Sequence, residues 1–349
     1  MQRVSLPGEQ EADPFDAWRP VYLSRKLGSK PAEIMLNGRE IVLFREAGGQ
    51  ARALANRCPH RQMRLGLGKV EGDKLVCPYH GWRFSGDGCG SAPGTPGMQI
   101  ATTCYQVREQ HGALWLRAGG RGRPPAFDFP GYRSTALLHH RLDAPLHLLL
   151  DNMMELEHSA SVHSLFGFDP QRMHEVATST SAHGPRTHIF YQGPQRKLPA
   201  HLELFSGIRK GDTFIQYADV MEQPIHAAYD LSWRSPATQA LRGLELKFVI
   251  YFNETTPGRA EQFTFAWFKC DTPLRTSVFS LVRKVMAYHI NQELAADIAL
   301  VESLRLGPGQ EDHYLFDRFD RPLAARRKRQ ASRVRSQAPT EPIAAQENQ

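Results

Sequence analysis

No run in the 349 residues approaches the roughly 20 consecutive apolar side chains that carry a helix across a bilayer. The first 18 residues are polar and acidic and lack the apolar core of a secretory leader. A cytoplasmic protein that makes no membrane contact is expected. Cysteine is scarce, at five residues, which agrees with a reducing compartment; Cys89, Cys104 and Cys270 are expected to be free thiols. A glycine-rich nucleotide fingerprint and a flavin motif are both missing. The body of the chain also lacks a basic stripe interleaved with aromatics, which excludes nucleic acid as a partner. The net charge of +7 is concentrated at one end, because positions 321–349 hold seven basic and two acidic residues. The run Arg326-Arg327-Lys328-Arg329, followed by Ala, Gln and Pro, is expected to be a solvated, frayed tail over 326–349.

What is present is concentrated in two short segments nineteen residues apart, Cys58-Pro59-His60 and Cys77-Pro78-Tyr79-His80. Each offers one thiolate and one imidazole. A [2Fe-2S] cluster with two sulfur ligands on one iron and two nitrogen ligands on the other needs this inventory, and its neutral imidazoles raise the potential to roughly −150 to +300 mV. Zinc accepts the same four ligands, but zinc modules usually open with two cysteines spaced by two to four residues, whereas here each half is mixed. The flanks, Cys58-Pro59-His60-Arg61 and Cys77-Pro78-Tyr79-His80-Gly81-Trp82, with Leu65-Gly66-Leu67-Gly68 between and Gly86-Asp87-Gly88 after, resemble the two loops of a Rieske domain. Met63 and Tyr79 stand near where respiratory-type Rieske proteins carry an extra cysteine in each loop, so no loop disulfide is expected.

Two ordinary domains fit the length. From Val21 to about Leu116 short strand-like runs alternate with Gly, Pro and Asn turns, which implies a small β-sandwich. Gly119-Gly120-Arg121-Gly122-Arg123-Pro124-Pro125 is the clearest linker. Beyond it a helix-like stretch covers about 145–163 and strand-like runs cover 212–221, 226–233, 244–252 and 262–269, the last two joined by a turn at Thr256-Pro257-Gly258. One long helical pattern starts near Leu274, with Val278, Leu281, Val282, Val285, Ile290, Leu294, Ile298 and Val301 predicted on its buried face. An antiparallel sheet closed over by helices is the economical architecture.

The first of these helices carries Asn152, Glu155, His158 and His163. Glu155 and His158, three apart, share a helix face. His158 and His163, five apart, are roughly 140° out of register on a 3.6-residue helix, so both reach one metal only if the helix ends between them. The weak helix formers Ser159-Ala160-Ser161 stand where that break is needed. On the long helix Asp297 lies on the apolar stripe, where a carboxylate is costly without a cation or hydrogen-bonded partner; a place at the stripe's edge, in water or paired with Arg305, is the alternative.

The pattern Asn-x2-Glu-x2-His-x4-His downstream of the cluster loops resembles the catalytic domain of Rieske non-heme iron oxygenases, over roughly residues 16–330. The wording of the helix is closer to the monooxygenase and demethylase branch than to the ring dihydroxylating one. The resemblance implies an α+β chain: an N-terminal tail (1–15), a Rieske β-sandwich domain (16–122), a mononuclear-iron catalytic domain of helix-grip type, an antiparallel sheet with helices (123–325), and the basic tail (326–349). It implies a Rieske [2Fe-2S] cluster on Cys58, His60, Cys77 and His80, and Fe(II) on His158, His163 and Asp297, with Glu293 and Glu302 as weaker candidates for the carboxylate. It also implies that Glu155 bridges a cluster ligand of one subunit to an iron ligand of its neighbour in a homotrimer, through His80, Glu155 and His158, although most relatives have Asp there. Asn152 would be an amide near iron, or else a local helix-start residue. The expected activity is hydroxylation or oxidative demethylation of a small hydrophobic or aromatic molecule, using O2 and a flavin- or ferredoxin-type reductase that draws on NAD(P)H. An electron carrier without oxygenase activity is the competing class. A quaternary-ammonium monooxygenase is the alternative within the family, because that branch also uses Glu at the bridging position.

Overall fold

The computed structural model describes residues 15–120, 122–165, 167–304 and 314–337. The N-terminal tail expected at 1–15 is therefore outside the described residues but for Phe15, as are Arg305 and the end of the basic tail.

The N-terminal half is built from antiparallel strands: β1 (Arg19–Leu23), β2 (Ala32–Leu36), β3 (Arg39–Arg45), β4 (Ala51–Ala55), β5 (Lys69–Glu71), β6 (Lys74–Val76), β7 (Arg83–Ser85), β8 (Cys89–Ala92), β9 (Thr95–Ala101), β10 (Cys104–Gln110) and β11 (Ala113–Arg117). Six of them form a sheet in the order β1-β11-β10-β4-β3-β2, and β5 to β9 form a separate five-stranded meander. The side chains of β3 alternate between two cores. Ile41 and Leu43 pack with Val21, Leu114 and Leu116, while Val42 and Phe44 pack with Leu75, Phe84 and the two cysteines of the motif loops. One strand thereby fixes the meander, and with it the loops, onto the larger sheet.

The C-terminal half comprises β12 (Arg133–Leu142), α1 (Leu146–Met154), α2 (Glu157–Ser161), β13 (Ala177–His183), β14 (Arg186–Pro194), α3 (Ala200–Ser206), β15 (Thr213–Glu222), β16 (Ile225–Arg234), β17 (Leu241–Thr256), β18 (Arg259–Cys270), α4 (Pro273–Leu281), α5 (Arg283–Ser303) and α6 (Arg321–Gln337). Its seven strands form one antiparallel sheet in the order β12-β18-β17-β16-β15-β14-β13. The chain is thus α+β, an all-β unit followed by an antiparallel sheet with helices. The hairpin between β17 and β18 turns at Pro257-Gly258, where Gly258 takes a left-handed φ of +78°.

Both faces of the central strands are buried. Leu246, Ile250, Phe252, Ala266 and Phe268 face the helices. Val249, Tyr251, Phe263, Phe265 and Trp267, at the alternate positions, pack with Trp18, Trp115 and Phe127 from the N-terminal half and the segment after it. The large sheet is therefore also the wall on which the N-terminal unit rests, and Asn253 Nδ2 donates to Pro20 O at 2.7 Å across that contact.

Two expectations are corrected. The single long helix is two, α4 and α5, broken at Val282 (φ −100°, ψ 12°). The break changes the phase of the apolar stripe, so Leu274, Val278, Leu281, Val282 and Val285 are exposed, and the buried positions are Phe279, Met286, Ile290, Asp297, Ile298 and Val301. The basic run expected in a frayed tail lies in α6. Arg326 is 4% exposed and pairs with Asp151, which also accepts from Arg327 at 3.1 Å, and Arg329 pairs with Glu222 at 2.8 Å. These guanidiniums find a buried carboxylate on α1 and a little-exposed one on β15, and pairing is what makes the burial of Arg326 tolerable.

Candidate metal centres

The two N-terminal loops are the same structure built twice. In the first, Cys58 N donates to Met63 O at 2.8 Å and Cys58 O accepts from Gln62 N at 2.8 Å. In the second, Cys77 N donates to Trp82 O at 2.7 Å and Cys77 O accepts from Gly81 N at 3.1 Å. The fifth residue of each is left-handed, Gln62 at φ +57° and Gly81 at +69°, a conformation glycine adopts at no steric cost and glutamine does not. Cys58 and Cys77 are buried under the meander, whereas His60 and His80 stand exposed at the tip with ring centroids 4.5 Å apart. Trp82 lies flat against His60 at 4.6 Å. Burial, reinforced by the neighbouring Cys77 and opposed by backbone N–H groups of His60 and Arg61, pushes the Cys58 thiol up to about 11. Two thiols that close suit a cation that keeps them deprotonated. Desolvation and the charges of His60 and Arg61 lower the His80 pKa, favouring the neutral ligand form.

The second site lies under the helices. α1 ends at Met154, and Glu155 is extended (φ −98°, ψ 162°), so the pair Glu155 and His158 does not share one helix face as expected. They meet because Glu155 turns back over the start of α2. Its Oε2 accepts from His158 N at 3.2 Å, and its Oε1 bonds His158 Nδ1. The break is held by side chains from distant strands. Tyr229 Oη donates to Met153 O at 2.8 Å and Tyr191 Oη donates to Met154 O at 3.4 Å, taking carbonyls that the end of a helix leaves unpaired.

α2 then ends at Ser161, between His158 and His163 as the spacing requires. Arg196 caps that end, donating to Ala160 O at 2.9 Å and to His163 O. Glu293 of α5 fixes the next residues, accepting from Ser164 N at 3.1 Å and Leu165 N at 3.1 Å. Asp297, one helical turn further along, is 3% exposed; it neither reaches water nor sits at the edge of its stripe. Its Oδ1 lies 2.8 Å from His163 Nε2 and 3.6 Å from His158 Nε2. His158, His163 and Asp297 each place one ligand atom within 4.8 Å of the others.

Both imidazoles thus turn Nε2 inward to Asp297 and Nδ1 outward to a carboxylate, Glu155 for His158 and Glu293, at 3.7 Å, for His163. Metal-bound histidines characteristically have such an outer carboxylate, which fixes the tautomer and makes the ligand more basic. Burial lowers the His158 pKa, but the hydrogen bond and charge of Glu155 and the charge of Asp297 outweigh it and the net shift is upward. Two imidazoles and one carboxylate with open positions suit Fe(II). Glu302, the other weaker candidate, accepts from Asp143 N at 2.8 Å instead. Asn152 is buried, and its carboxamide oxygen has no hydrogen-bond partner among the described residues.

The three groups open onto a cavity of about 130 Å³, the same order as apolar cavities that admit a benzene-sized molecule. Of the aromatic side chains on the central strands, Phe214, Tyr229 and Phe248 line it; Trp233 and Phe252 are core, Trp267 packs against the N-terminal unit, and Tyr217 does not reach it. Arg196, Tyr191 and Gln216, which also lines the cavity, gave no sequence signal.

Residues 17–105 match the Rieske [2Fe-2S] domain family. The chain is 39% identical over 138 residues to the oxygenase component of chloroacetanilide N-alkylformylase from Rhizorhabdus wittichii, a match over 36% of this chain and 40% of that protein. The curated relatives it matches are covered over less than half their length. Among solved structures, dicamba monooxygenase bound to 3,6-dichlorosalicylic acid superposes with a TM-score of 0.73 at 18% identity, over 93% of this chain and 98% of that one. NdmA of Pseudomonas putida CBB5 with caffeine gives 0.66 at 19% identity, over 89% and 88%. At these identities the structural likeness establishes the fold.

Proposed function

We propose, from the match of residues 17–105 to the Rieske [2Fe-2S] domain and the fold shared with dicamba monooxygenase, that the chain is a terminal oxygenase that hydroxylates or oxidatively demethylates a small hydrophobic molecule. The observation that carries this reading is the convergence of His158, His163 and Asp297 on one apolar cavity, in a chain that also holds the cluster loops. A bare electron carrier needs only the N-terminal unit.

In this reading Cys58, His60, Cys77 and His80 hold the cluster, and His158, His163 and Asp297 hold Fe(II). When bound, the cluster relays single electrons and the iron supplies open coordination positions for dioxygen. One oxygen atom enters a C–H bond of the substrate, and the other leaves as water with two electrons and two protons. When the carbon attacked is a methyl on O or N, the hydroxymethyl product breaks its C–O or C–N bond to give formaldehyde and the free hydroxyl or amine.

The chain's own residues do three things. Glu155 and Glu293 fix the two imidazoles so that both Nε2 atoms face Asp297. Phe214, Phe248, Ile250 and Leu294 keep bulk water from the reacting carbon. The buried thiols and exposed imidazoles of the cluster loops turn the nitrogen side of that site toward partners. Electrons come from NAD(P)H through a separate reductase. The chain works as a homotrimer in which Glu155, its side chain still 20% accessible while it holds His158, receives His80 of a neighbouring subunit. Asn152, a buried acceptor one turn before Glu155, supports that region.

The test is turnover with a surrogate reductase, scored by NADH oxidation, O2 uptake and formaldehyde release across a panel of methoxy and N-methyl aromatics. Product that needs both the cluster and Asp297 supports the reading. Reversible electron transfer without O2 consumption for any substrate would leave the carrier reading.

A further inference from the structure

Most of the cavity is aliphatic and aromatic, and its polar groups are nearly all spoken for. Glu155, Glu293 and Asp297 are engaged with the two histidines. Ser159 Oγ donates to Leu156 O at 2.8 Å, and Tyr229 Oη to Met153 O at 2.8 Å. The exception is Gln216, which lines the cavity and whose side chain makes no hydrogen bond to any described residue. No lysine or arginine among the described residues lines the cavity.

Gln216 sits in the middle of β15, paired in register with Tyr191 of β14 and Leu231 of β16. Phe214 and Ala218, two residues to either side, share its face. It therefore projects from the rigid floor of the sheet, not from a loop, into a space bounded above by the helices.

Resting on the reading of this cavity as the substrate site, we infer that the protein selects a neutral molecule bearing one amide- or carbonyl-type group, and that Gln216 orients it. A primary or secondary amide both donates and accepts, and a carboxamide side chain can answer both. A carboxylate placed there meets no lysine or arginine, and the three carboxylates already present outweigh the two positive charges of a bound Fe(II); burying an unpaired charge is far more costly than burying a paired dipole. A purely apolar ligand would leave the Gln216 amide cut off from water and unsatisfied. Orientation follows, because the polar end is held at the floor and the far end is turned toward His158, His163 and Asp297.

The test is calorimetric titration of the metal-loaded protein at neutral pH with four probes of one shape: para-methoxybenzamide, para-methoxybenzoate, para-methylanisole and the para-methoxyphenyl trimethylammonium ion. The benzamide is expected to bind at least about tenfold more tightly than the benzoate. In Gln216→Leu the benzamide should weaken about tenfold while para-methylanisole binds as well or better, which shows an intact pocket. In Gln216→Arg the benzoate should gain. The inference is overturned if the benzoate matches the benzamide, if the ammonium ion is the tightest ligand, if the benzamide does not bind, or if Gln216→Leu leaves the ratio of benzamide to para-methylanisole unchanged. Because binding is read without turnover, a protein that selects the benzamide but consumes no O2 with a reductase would defeat the oxygenase reading and leave the role of Gln216 standing.

Discussion

The two candidate metal centres differ in how they are assembled and in what they show to solvent. The cluster site comes from two hexapeptide loops that close in the same way, nineteen residues apart, and its imidazoles are exposed. The second site joins a short helix to a carboxylate 134 residues further along the chain, and its carboxylate is almost wholly buried. The difference matches two tasks. A centre that exchanges electrons with other proteins needs an exposed edge, and one that handles oxygen beside an organic molecule needs a dry, shaped cavity. It also means that the first site depends on local backbone geometry and the second on tertiary packing. Mutations distinguish the two.

The largest expected effect is loss of one centre at a time. His158→Ala or Asp297→Ala should reduce product formation to background while the visible spectrum of the cluster is unchanged. Cys58→Ser should abolish that spectrum while the mononuclear site still binds iron. Loss of both centres in either variant would mean that the two sites are not independently built.

Next in size is the C-terminal helix. Arg326→Met leaves Asp151 on α1 with the partly exposed Arg327 and the charge of His147, and breaking a buried pair costs on the order of 3–5 kcal/mol. Chemical denaturation should show that loss in the catalytic half, with the cluster spectrum persisting to higher denaturant. A change under about 1 kcal/mol would show that α6 only decorates the surface.

A comparable effect is expected from acid at His226, on the face of the large sheet that meets Tyr251. Burial, opposed by a 2.6 Å hydrogen bond to Pro224 O, pushes its pKa down to about 4. The unfolded chain takes up that proton near 6.5, so the contribution is complete above about pH 6.5 and is lost as the pH falls toward 4, by roughly 3 kcal/mol. His226→Gln should flatten the stability profile across that window, as followed by thermal melts at stepped pH.

A smaller effect, of about 10–100-fold on activity, is expected for Glu155→Gln, which keeps the shape but removes the charge that holds His158 Nδ1. Both metals should stay bound, with cluster oxidation uncoupled from product; unchanged coupling would reduce Glu155 to a helix cap. The smallest is Tyr191→Phe, which removes the hydroxyl shared between Met154 O at the end of α1 and Phe319 O ahead of α6 and should cost about 1 kcal/mol.

The same contrast explains what could be read from the sequence. The matched loops were legible because all four candidate ligands and the turn residues lie within 25 positions, and local geometry demands those residue types. The central strands were legible because Phe, Trp, Ile and Val form near-continuous apolar runs, as a sheet buried on both faces requires. The end of α2 between His158 and His163 was legible because metal geometry requires it and serines permit it.

The break at Glu155 was hidden, since its causes, Tyr191 and Tyr229, arrive from strands far along the chain. The kink at Val282 was hidden because a three- and four-residue apolar pattern reads as continuous whether or not the helix is, and the resulting phase change put half the predicted stripe in solvent. The Arg326 pairings were hidden because a basic run has the same composition whether it is solvated or finds buried carboxylates. Gln216 was hidden because one polar residue in a strand carries no signal until the pocket around it is known.

The central claim is that one polypeptide holds two separate iron sites with separate ligands, and metal stoichiometry with and without Asp297 tests it most directly. Iron and acid-labile sulfide should be measured on anaerobically reconstituted protein beside Asp297→Ala. The account predicts three irons and two sulfides per chain, falling to two irons and two sulfides in the variant with the cluster spectrum intact. Two irons in the unaltered protein, three retained in the variant, or zinc in place of iron and sulfide would contradict it.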